Sequence, residues 1–211
     1  GNGVGYTGLR IRGSDATRVN ITVNGVPYND AESQQTYWVD LPDFASSVDE
    51  IQIQRGVGTS TNGISSFGAA VNINTNVLSR KPFVKLAYNT GSFNLSKKMI
   101  QFGTGLINDH WQLEGRYSDV YSDGYVDRAY ADLNSYFITA AYQSLKYKSI
   151  INIFSGNEKT YQSWAGVPAE ILDTNRTYNP YTYENQTDNY IQTHYQWHNI
   201  FNLNTADVLR I

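Results

Sequence analysis

The sequence lacks cysteine altogether, and it contains only 1 Met, 3 His and 5 Pro. Without cysteine, neither a disulfide framework nor a thiolate metal site is available. Lys and Arg number 16 against 19 Asp and Glu, so the chain has no basic excess of the kind that indicates a nucleic-acid partner. No apolar run reaches the about 18 residues of a transmembrane-helix candidate.

Motifs of catalysis are also missing from the sequence. It contains no G-x-S-x-G element, no Cys-His pair and no Walker loop, so we predict neither an enzyme nor a bound cofactor. His194 and His198 would share one face of a strand, with no carboxylate at the next positions of that face. This pattern is typical of polar strand residues rather than of metal ligands.

Aromatic and small polar residues are abundant instead. The chain has 17 Tyr, 4 Trp and 8 Phe, together with 17 Gly. Such a mixture, with few helix formers, predicts an all-β protein. A membrane location stays open, because a membrane-spanning β-strand needs only about 9–11 alternating residues. The chain begins in a Gly-rich stretch and stops inside an apparent strand, so we expect it to be a segment of a longer protein.

One stretch, residues 49–75, organises the N-terminal part. Residues 51–54 and 70–75 alternate apolar and polar side chains like half-buried strands, and a Gly- and Ser-rich loop joins them. The stretch resembles the end of the plug domain of TonB-dependent outer-membrane receptors. The matching residues are Ile51, Ile53, Arg55, Gly56, Ser60, Phe67, Gly68, Val71, Asn72, Ile73 and Thr75.

Before that stretch, the pattern predicts short strands and turns. Residues 9–13 and 19–23 are interpreted as strands, Asn24-Gly25 as a tight turn, and residues 42–48 as one helical turn. Pro27 excludes a continuing central strand. We interpret residues 1–79 as the C-terminal part of a plug domain with a small α+β fold.

Long alternating strands begin after Pro82. They are predicted near 83–90, 98–106, 111–118, 134–144, 147–158 and 191–203. In the clearest strand, Trp111, Leu113 and Tyr117 alternate with Gln112, Glu114 and Arg116. Gln192 and Gln196 join the polar face. Residues 80–211 are therefore predicted to be roughly the first six or seven strands of a transmembrane β-barrel.

The connections distinguish a membrane barrel from a soluble β-sandwich. Short links near 107–110, 144–147 and 204–207 alternate with long ones at 119–132 and 159–188. Outer-membrane barrels sort their loops in this way. Aromatic residues expected at the membrane interfaces are Trp111, Tyr121, Tyr142, Tyr147, Tyr161 and Trp164. The alternative is a soluble, Tyr-rich β-sandwich that binds glycans.

The resemblance implies a plug inside an antiparallel barrel of about 22 strands, of which this chain covers a part. It further implies TonB-dependent active import of a scarce nutrient across the bacterial outer membrane. The implied partners are outer-membrane lipid, a small nutrient or metal chelate, TonB through a segment outside this chain, and a possible surface lipoprotein.

The resemblance also assigns roles to single residues. Arg12 and Arg55 would form ion pairs between plug and barrel; the alternative is surface arginines in turns. Candidate ligand contacts at the plug apex are Ser14, Asp15, Thr17, Gln34, Gln35, Tyr37 and Trp38; the alternative is a solvated connection. Structural glycines, suited to a positive φ or a close approach, are Gly13, Gly25, Gly56, Gly63 and Gly68.

Two further stretches bear on subtype and substrate. Residues 159–168 resemble a K-T-Y-x-(A/S)-W-x-G-(V/I)-P run of Bacteroidetes members of the family, and their expected role is structural. Residues 63–70 depart from the D-A-x-A-x-Y-G-x-R run of glycan importers. This departure favours a metal chelate, such as a ferric siderophore, as the substrate.

Overall fold

The computed structural model describes residues 4, 7–56, 68–75, 77–203 and 208–211. These residues form a four-stranded sheet and a seven-stranded sheet, called here the small sheet and the large sheet. The chain divides into two compact units, one of residues 7–38 and 44–77, the other of residues 1–6, 39–43 and 78–211. Gly63, Ser60 and Phe67 of the sequence prediction lie outside the described residues.

The small sheet has the strand order β2-β1-β4-β3. Its strands are β1 (Val19–Val23), β2 (Val26–Pro27), β3 (Glu50–Arg55) and β4 (Ala69–Asn74). β1 pairs in parallel with β4, and the other pairings are antiparallel. Residues of β1 and β4 supply most of its buried side chains, whereas all of β3 is exposed. As predicted, β2 ends at Pro27, which has no N–H to continue the ladder.

Short 3₁₀ turns complete this part of the chain, at Ala16–Arg18, Trp38–Asp40 and Phe44–Ser47. The last confirms the helical turn predicted within 42–48. The strand predicted at 9–13 is wrong: Ile11 and Ser14 form only an isolated bridge. Arg12 and Gly13 between them have positive φ values of 51° and 75°, so the backbone turns there.

The large sheet is an antiparallel meander in chain order. Its strands are β5 (Phe83–Gly91), β6 (Leu95–Gly103), β7 (Trp111–Ser122), β8 (Ala131–Gln143), β9 (Tyr147–Tyr161), β10 (Thr187–Asn202) and β11 (Val208–Arg210). One short helix, α1 (Ala169–Leu172), lies in the longest connection. The loop predicted at 119–132 is shorter than expected, because the β7–β8 ladder continues to the pair Ser122–Ala131.

The large sheet has a polar face that is buried and an apolar face that is exposed. On β7, Gln112, Arg116 and Ser118 are buried, while the alternating Trp111 and Leu113 are 57% and 39% exposed. On β8 and β9 the buried face is mixed: its polar residues include Ser135, Thr139 and Asn152, and its apolar residues include Phe137, Ile150 and Phe154. The apolar face further includes Val84, Leu86, Ile100, Phe102, Tyr117, Ile138, Ile151, Ile191, Tyr195 and Trp197, all exposed. Exposed apolar residues on one face are the reverse of the soluble β-sandwich alternative, whose sheets bury their apolar faces against each other.

Aromatic rings line the end of the large sheet that carries the short connections. Trp111 and Tyr142 lie 4.8 Å apart by ring centroids, Tyr142 and Tyr147 6.3 Å, and Tyr147 and Phe201 4.9 Å. This row has the position of an interfacial girdle. Tyr161 is an exception to the predicted girdle. It is buried, and its hydroxyl donates to the Tyr183 carbonyl at 3.0 Å.

Two cross-strand pairs place a phenylalanine ring over a glycine. Phe83 on β5 lies opposite Gly103 on β6, and Phe102 on β6 lies opposite Gly115 on β7. A Cβ added at Gly103 would be 2.4 Å from the Phe83 ring, and one added at Gly115 would be 2.6 Å from the Phe102 ring. A larger residue at either position would therefore displace the phenylalanine ring from its place over the neighbouring strand. Among the described residues, no helix is long and apolar enough to cross a membrane.

Candidate functional site

The segment Val39–Asp43 packs on the polar face of the large sheet, although the residues on both sides of it along the chain belong to the other compact unit. Val39 and Leu41 are each 5% exposed. Opposite the segment lies Gly156 of β9, where an added Cβ would be 2.3 Å from the Asp40 carbonyl oxygen. The segment thus lies directly on the strand backbone.

The carboxylate of Asp43 is held by side chains of β6 and β7. Lys97 Nζ donates to Oδ1, and Ser118 Oγ donates to Oδ2 at 2.5 Å. The Arg116 guanidinium lies 3.6 Å from Oδ2, and its Nη1 donates to Ser135 Oγ at 3.1 Å. The side chains of Arg116 and Asp43 are only 3% and 12% exposed. These five residues are called here the Asp43 cluster.

The single carboxylate of this cluster faces two cations, Lys97 and Arg116. Arg116 lies on the buried polar face, where an uncompensated guanidinium is strongly unfavourable. Asp43 supplies the compensating carboxylate. Its backbone has a φ of 53°, a left-handed conformation that Asp tolerates better than most residues. Burial raises the pKa of the neighbouring Asp40 carboxyl.

Sequence reasoning found one side of this cluster and missed the other. The alternation of β7 predicted that Arg116 faces inward. Asp43 was missed, because Pro42-Asp43 carries a turn signal but no local sign that it contacts β6 and β7. Such a contact follows from the tertiary fold alone.

Polar side chains of β7 also fix the start of the large sheet. Gln112 Nε2 donates to the Ser79 carbonyl at 2.8 Å, and the Ser79 N–H donates to Glu114 Oε1 at 2.6 Å. Both residues were predicted to face inward. They hold the chain just before it enters β5.

Arg12 and Arg55 are both exposed in the structure. Arg55 ends β3, as expected, and Arg12 lies in the turn between Ile11 and Ser14. Neither forms one of the ion pairs found among the described residues. Their pairing with barrel glutamates stays a prediction.

The first group of candidate apex residues, Ser14, Asp15 and Thr17, lies in a turn that is closed by a hydrogen bond. Asp15 caps the 3₁₀ turn and accepts a hydrogen bond of 2.9 Å from the Thr17 N–H. This backbone hydrogen bond lowers the pKa of the Asp15 carboxyl. Ser14 packs against Gly68, where an added Cβ would be 2.7 Å from the serine side chain.

The second group of candidate apex residues, Gln34, Gln35, Tyr37 and Trp38, follows Asp30 in the chain. Asp30 accepts the hydrogen bonds that hold this second loop. Its Oδ1 accepts from the Ser33 N–H at 2.7 Å and from Ser33 Oγ at 2.8 Å, and these bonds lower the pKa of the Asp30 carboxyl. Asn29 Nδ2 donates to the Gln34 carbonyl at 2.9 Å. Gln34 has a φ of 59°. The loop is therefore internally braced.

The remaining candidates of this second loop differ in exposure. Gln34 and Gln35 are exposed, and Tyr37 is 46% exposed. Trp38 is half-buried against Tyr28, with ring centroids 6.5 Å apart. The structure thus leaves the amides and the Tyr37 ring accessible, while Trp38 is part of the packing. A ligand role for these residues and for Ser14, Asp15 and Thr17 stays a prediction.

The structural glycines fall into two groups. Gly13, Gly25 and Gly56 have φ values of 75°, 82° and 77°. Gly25 follows Asn24, whose φ of 55° completes the left-handed pair expected of a tight Asn-Gly turn. At position 68, glycine is required for a different reason: Ser14 packs too closely to leave room for a side chain.

The two long connections of the large sheet are joined to each other. Arg128 donates to the carbonyls of Asn179 and Tyr181, each at 2.8 Å. Asn179 is 1% exposed and donates to the carbonyls of Asp127 and Gln162 at 2.9 and 3.0 Å. Sequence reasoning missed this network, because its acceptors are backbone carbonyls, which carry no sequence signature.

Comparison with known proteins agrees with this architecture. Residues 1–70 match the family described as TonB-dependent Receptor Plug Domain. No curated protein matches the chain in sequence. Several solved receptors share its fold.

The ferric-catecholate import receptor Fiu of E. coli K12, in its open form, is 12% identical with a TM-score of 0.73; 95% of this chain matches 32% of that one. The ferric citrate transporter FecA, unliganded, is 16% identical with a TM-score of 0.76, covering 95% of this chain and 31% of its own. The siderophore receptor PiuA of Acinetobacter baumannii is 11% identical with a TM-score of 0.75, covering 100% and 30%.

The chain thus spans about a third of the length of these receptors. The predicted outer-membrane location is confirmed, whereas the Bacteroidetes subtype stays a prediction. Residues 1–70 thus match the plug domain of the TonB-dependent receptors, and the chain shares the fold of solved receptors of this kind.

Proposed function

We propose that this chain is part of a receptor that imports a metal chelate, most simply a ferric siderophore, across the bacterial outer membrane with energy transmitted by TonB. The observation that carries the proposal is the joint presence of a plug domain and a strand sheet with a buried polar face and an exposed apolar face. An apolar face of this kind suits lipid, and a polar face suits a partly hydrated plug.

A plug must be held firmly and yet be movable. Polar contacts serve this purpose better than a dry apolar interface, since water and charged groups can replace them one by one. The buried polar side chains of the large sheet that lie outside the Asp43 cluster, among them Gln112, Thr139 and Asn152, supply such a surface. Arg12 and Arg55 would add ion pairs with glutamates of strands outside this chain.

The substrate class rests on two observations. The solved receptors with this fold include proteins named for ferric catecholates, ferric citrate and siderophores. The sequence at 63–70 also departs from the run of glycan importers. In the receptor, the exposed Gln34, Gln35 and Tyr37 would contact the chelate by hydrogen bonds and ring stacking.

Uptake by cells tests the proposal. The full-length receptor is expressed in a Gram-negative strain without its own ferric-siderophore receptors, and radioactive iron uptake is measured with ferric catecholate, hydroxamate and citrate chelates. We expect uptake of one of these classes that is lost in an isogenic strain without TonB. Oligosaccharide uptake without iron uptake would contradict the substrate class, and uptake independent of TonB would contradict the mechanism.

A further inference from the structure

We infer that Val39–Asp43 is a fixed anchor, which stays on the large sheet while the residues on either side of it rearrange during transport. This inference rests on the proposed import function. This short segment of the plug part would stay in place while its neighbours along the chain move.

Packing is the first argument. Val39 and Leu41 are buried, and the segment belongs to the compact unit of the large sheet rather than to that of residues 38 and 44. Gly156 allows the Asp40 backbone and the Pro42 ring to approach the strand within contact distance. A segment seated this closely cannot slide without a clash against β9.

Charge is the second argument. The Asp43 carboxylate accepts hydrogen bonds from Lys97 and Ser118 and neutralises the buried Arg116. Withdrawing Asp43 would leave the Arg116 guanidinium without this carboxylate in a place that water barely reaches. The same cluster therefore resists a pull in any direction, unlike the exposed turn around Asp30.

Contrast with the flanking residues is the third argument. The loop of residues 30–37 before the anchor is mostly exposed and is held by local hydrogen bonds. After the anchor, β3 pairs only with β4 among the described strands. When a pull is transmitted along the chain, we therefore expect the residues on both sides of the anchor to move before the anchor does.

Disulfide staples test the inference. The 211 residues of this chain contain no cysteine, and any cysteine elsewhere in the full-length receptor is first replaced by serine. The anchor staple is Asp43→Cys with Ser118→Cys, whose native side chains are 2.5 Å apart at their oxygens. The matched staple is Gln52→Cys with Asn72→Cys, register partners on β3 and β4. Both are built in the full-length receptor, and the reduced form of each serves as its own folding control.

We expect the oxidised anchor staple to import iron chelate as well as its reduced form does. The oxidised β3–β4 staple should lose import and regain it with reductant. Loss of import in the oxidised anchor staple, restored by reductant, would show that the anchor opens and would overturn the inference. Undiminished import with the β3–β4 staple would overturn it too, because β3 would then not rearrange.

The test separates this inference from the proposed function. A wild-type receptor that imports no chelate contradicts the function, while failure of the Asp43–Ser118 disulfide to form in purified protein contradicts the anchor. If the reduced anchor variant is absent from the membrane, limited proteolysis of the native receptor in energised cells replaces it. Cleavage within 30–37 but not within 39–43 is expected, and cleavage within 39–43 overturns the anchor.

Discussion

Gly156 of β9 lies directly against the Asp40 backbone, and a Cβ placed on the glycine would be 2.3 Å from the Asp40 carbonyl oxygen. Neither partner can give way easily, because the contact is made by backbone on both sides. β9 thus has no side chain at position 156, and the 39–43 segment occupies the space that a side chain would fill.

Gly156→Ala is expected to lower the free energy of unfolding by about 1–3 kcal/mol, the usual cost of overpacking. The methyl group must push the 39–43 segment off the sheet or distort β9. Gly166→Ala is the matched control, since nothing lies within 4 Å of a Cβ there. Thermal unfolding of the full-length receptor in detergent measures both, and equal melting temperatures would contradict the contact.

Asp43→Asn keeps the left-handed backbone and the side-chain shape but removes the charge that faces Arg116. We expect a loss of about 3–5 kcal/mol, as for other buried pairs that lose one partner. Asp119→Asn breaks the comparable pair with Lys98, 3.5 Å apart, whose side chains are 35% and 65% exposed. That control is expected to cost about 0–1 kcal/mol. Similar losses for the two variants would argue against a buried Asp43 cluster.

Asn179→Ala removes both hydrogen bonds by which this buried amide joins the connections around Asp127 and Gln162. We expect the substitution to lower the stability of the two long connections by about 1–3 kcal/mol and to leave the strands unaffected. Hydrogen exchange should therefore accelerate within 123–130 and 162–186 and stay unchanged in β7–β9. The exposed Asn185 provides the control substitution. Uniform acceleration across the sheet would refute a local role.

Ile138→Lys places a charge in the middle of the apolar face, where Ile138 is 40% exposed. If this face meets lipid, refolding into vesicles should lose about 2–4 kcal/mol. Asp132→Lys lies on the same face of the same strand, near its end, where the cost falls to about 0–1 kcal/mol. No difference between the two would mean that the apolar face does not cross a membrane.

Acidification should open the loop around Asp30. Hydrogen bonds from Ser33 lower the pKa of the Asp30 carboxyl below its ordinary value of 3.8. A lowered pKa means that the ionised form stabilises the loop, so this contribution is present above 3.8 and is lost as the pH falls through the folded pKa. Protection of the Ser33 amide, corrected for intrinsic exchange, should fall in that window. Asp30→Asn should abolish the pH dependence, and a persistent dependence would contradict the assignment.

Strand content was predictable from the sequence because each strand of the large sheet carries its own period-two pattern. The alternation of Trp111 and Leu113 with Gln112 and Arg116 predicts both the strand and its faces. Strand ends were less predictable, since pairs such as Tyr121–Asp132 continue the ladder through polar residues. Arg12 illustrates the opposite error, where a strand-like pattern lies in a turn with positive φ.

The candidate site was less predictable for a physical reason. Asp43, Arg116 and Gly156 are far apart in sequence, and each has an ordinary local environment there. Only the fold brings a turn of the plug part against two strands, and only the fold shows that Asn179 bonds to backbone carbonyls. Local patterns specify elements, whereas these contacts depend on how the elements meet.

The Phe83–Gly103 and Phe102–Gly115 pairs have a consequence for how the sheet assembles. Moving β6 by one residue along either neighbour would drive a ring into a side chain and leave a bare backbone elsewhere. Each pair therefore favours the native register of its two strands. A hairpin paired in another register would be less stable, and it would be disfavoured before later strands are added.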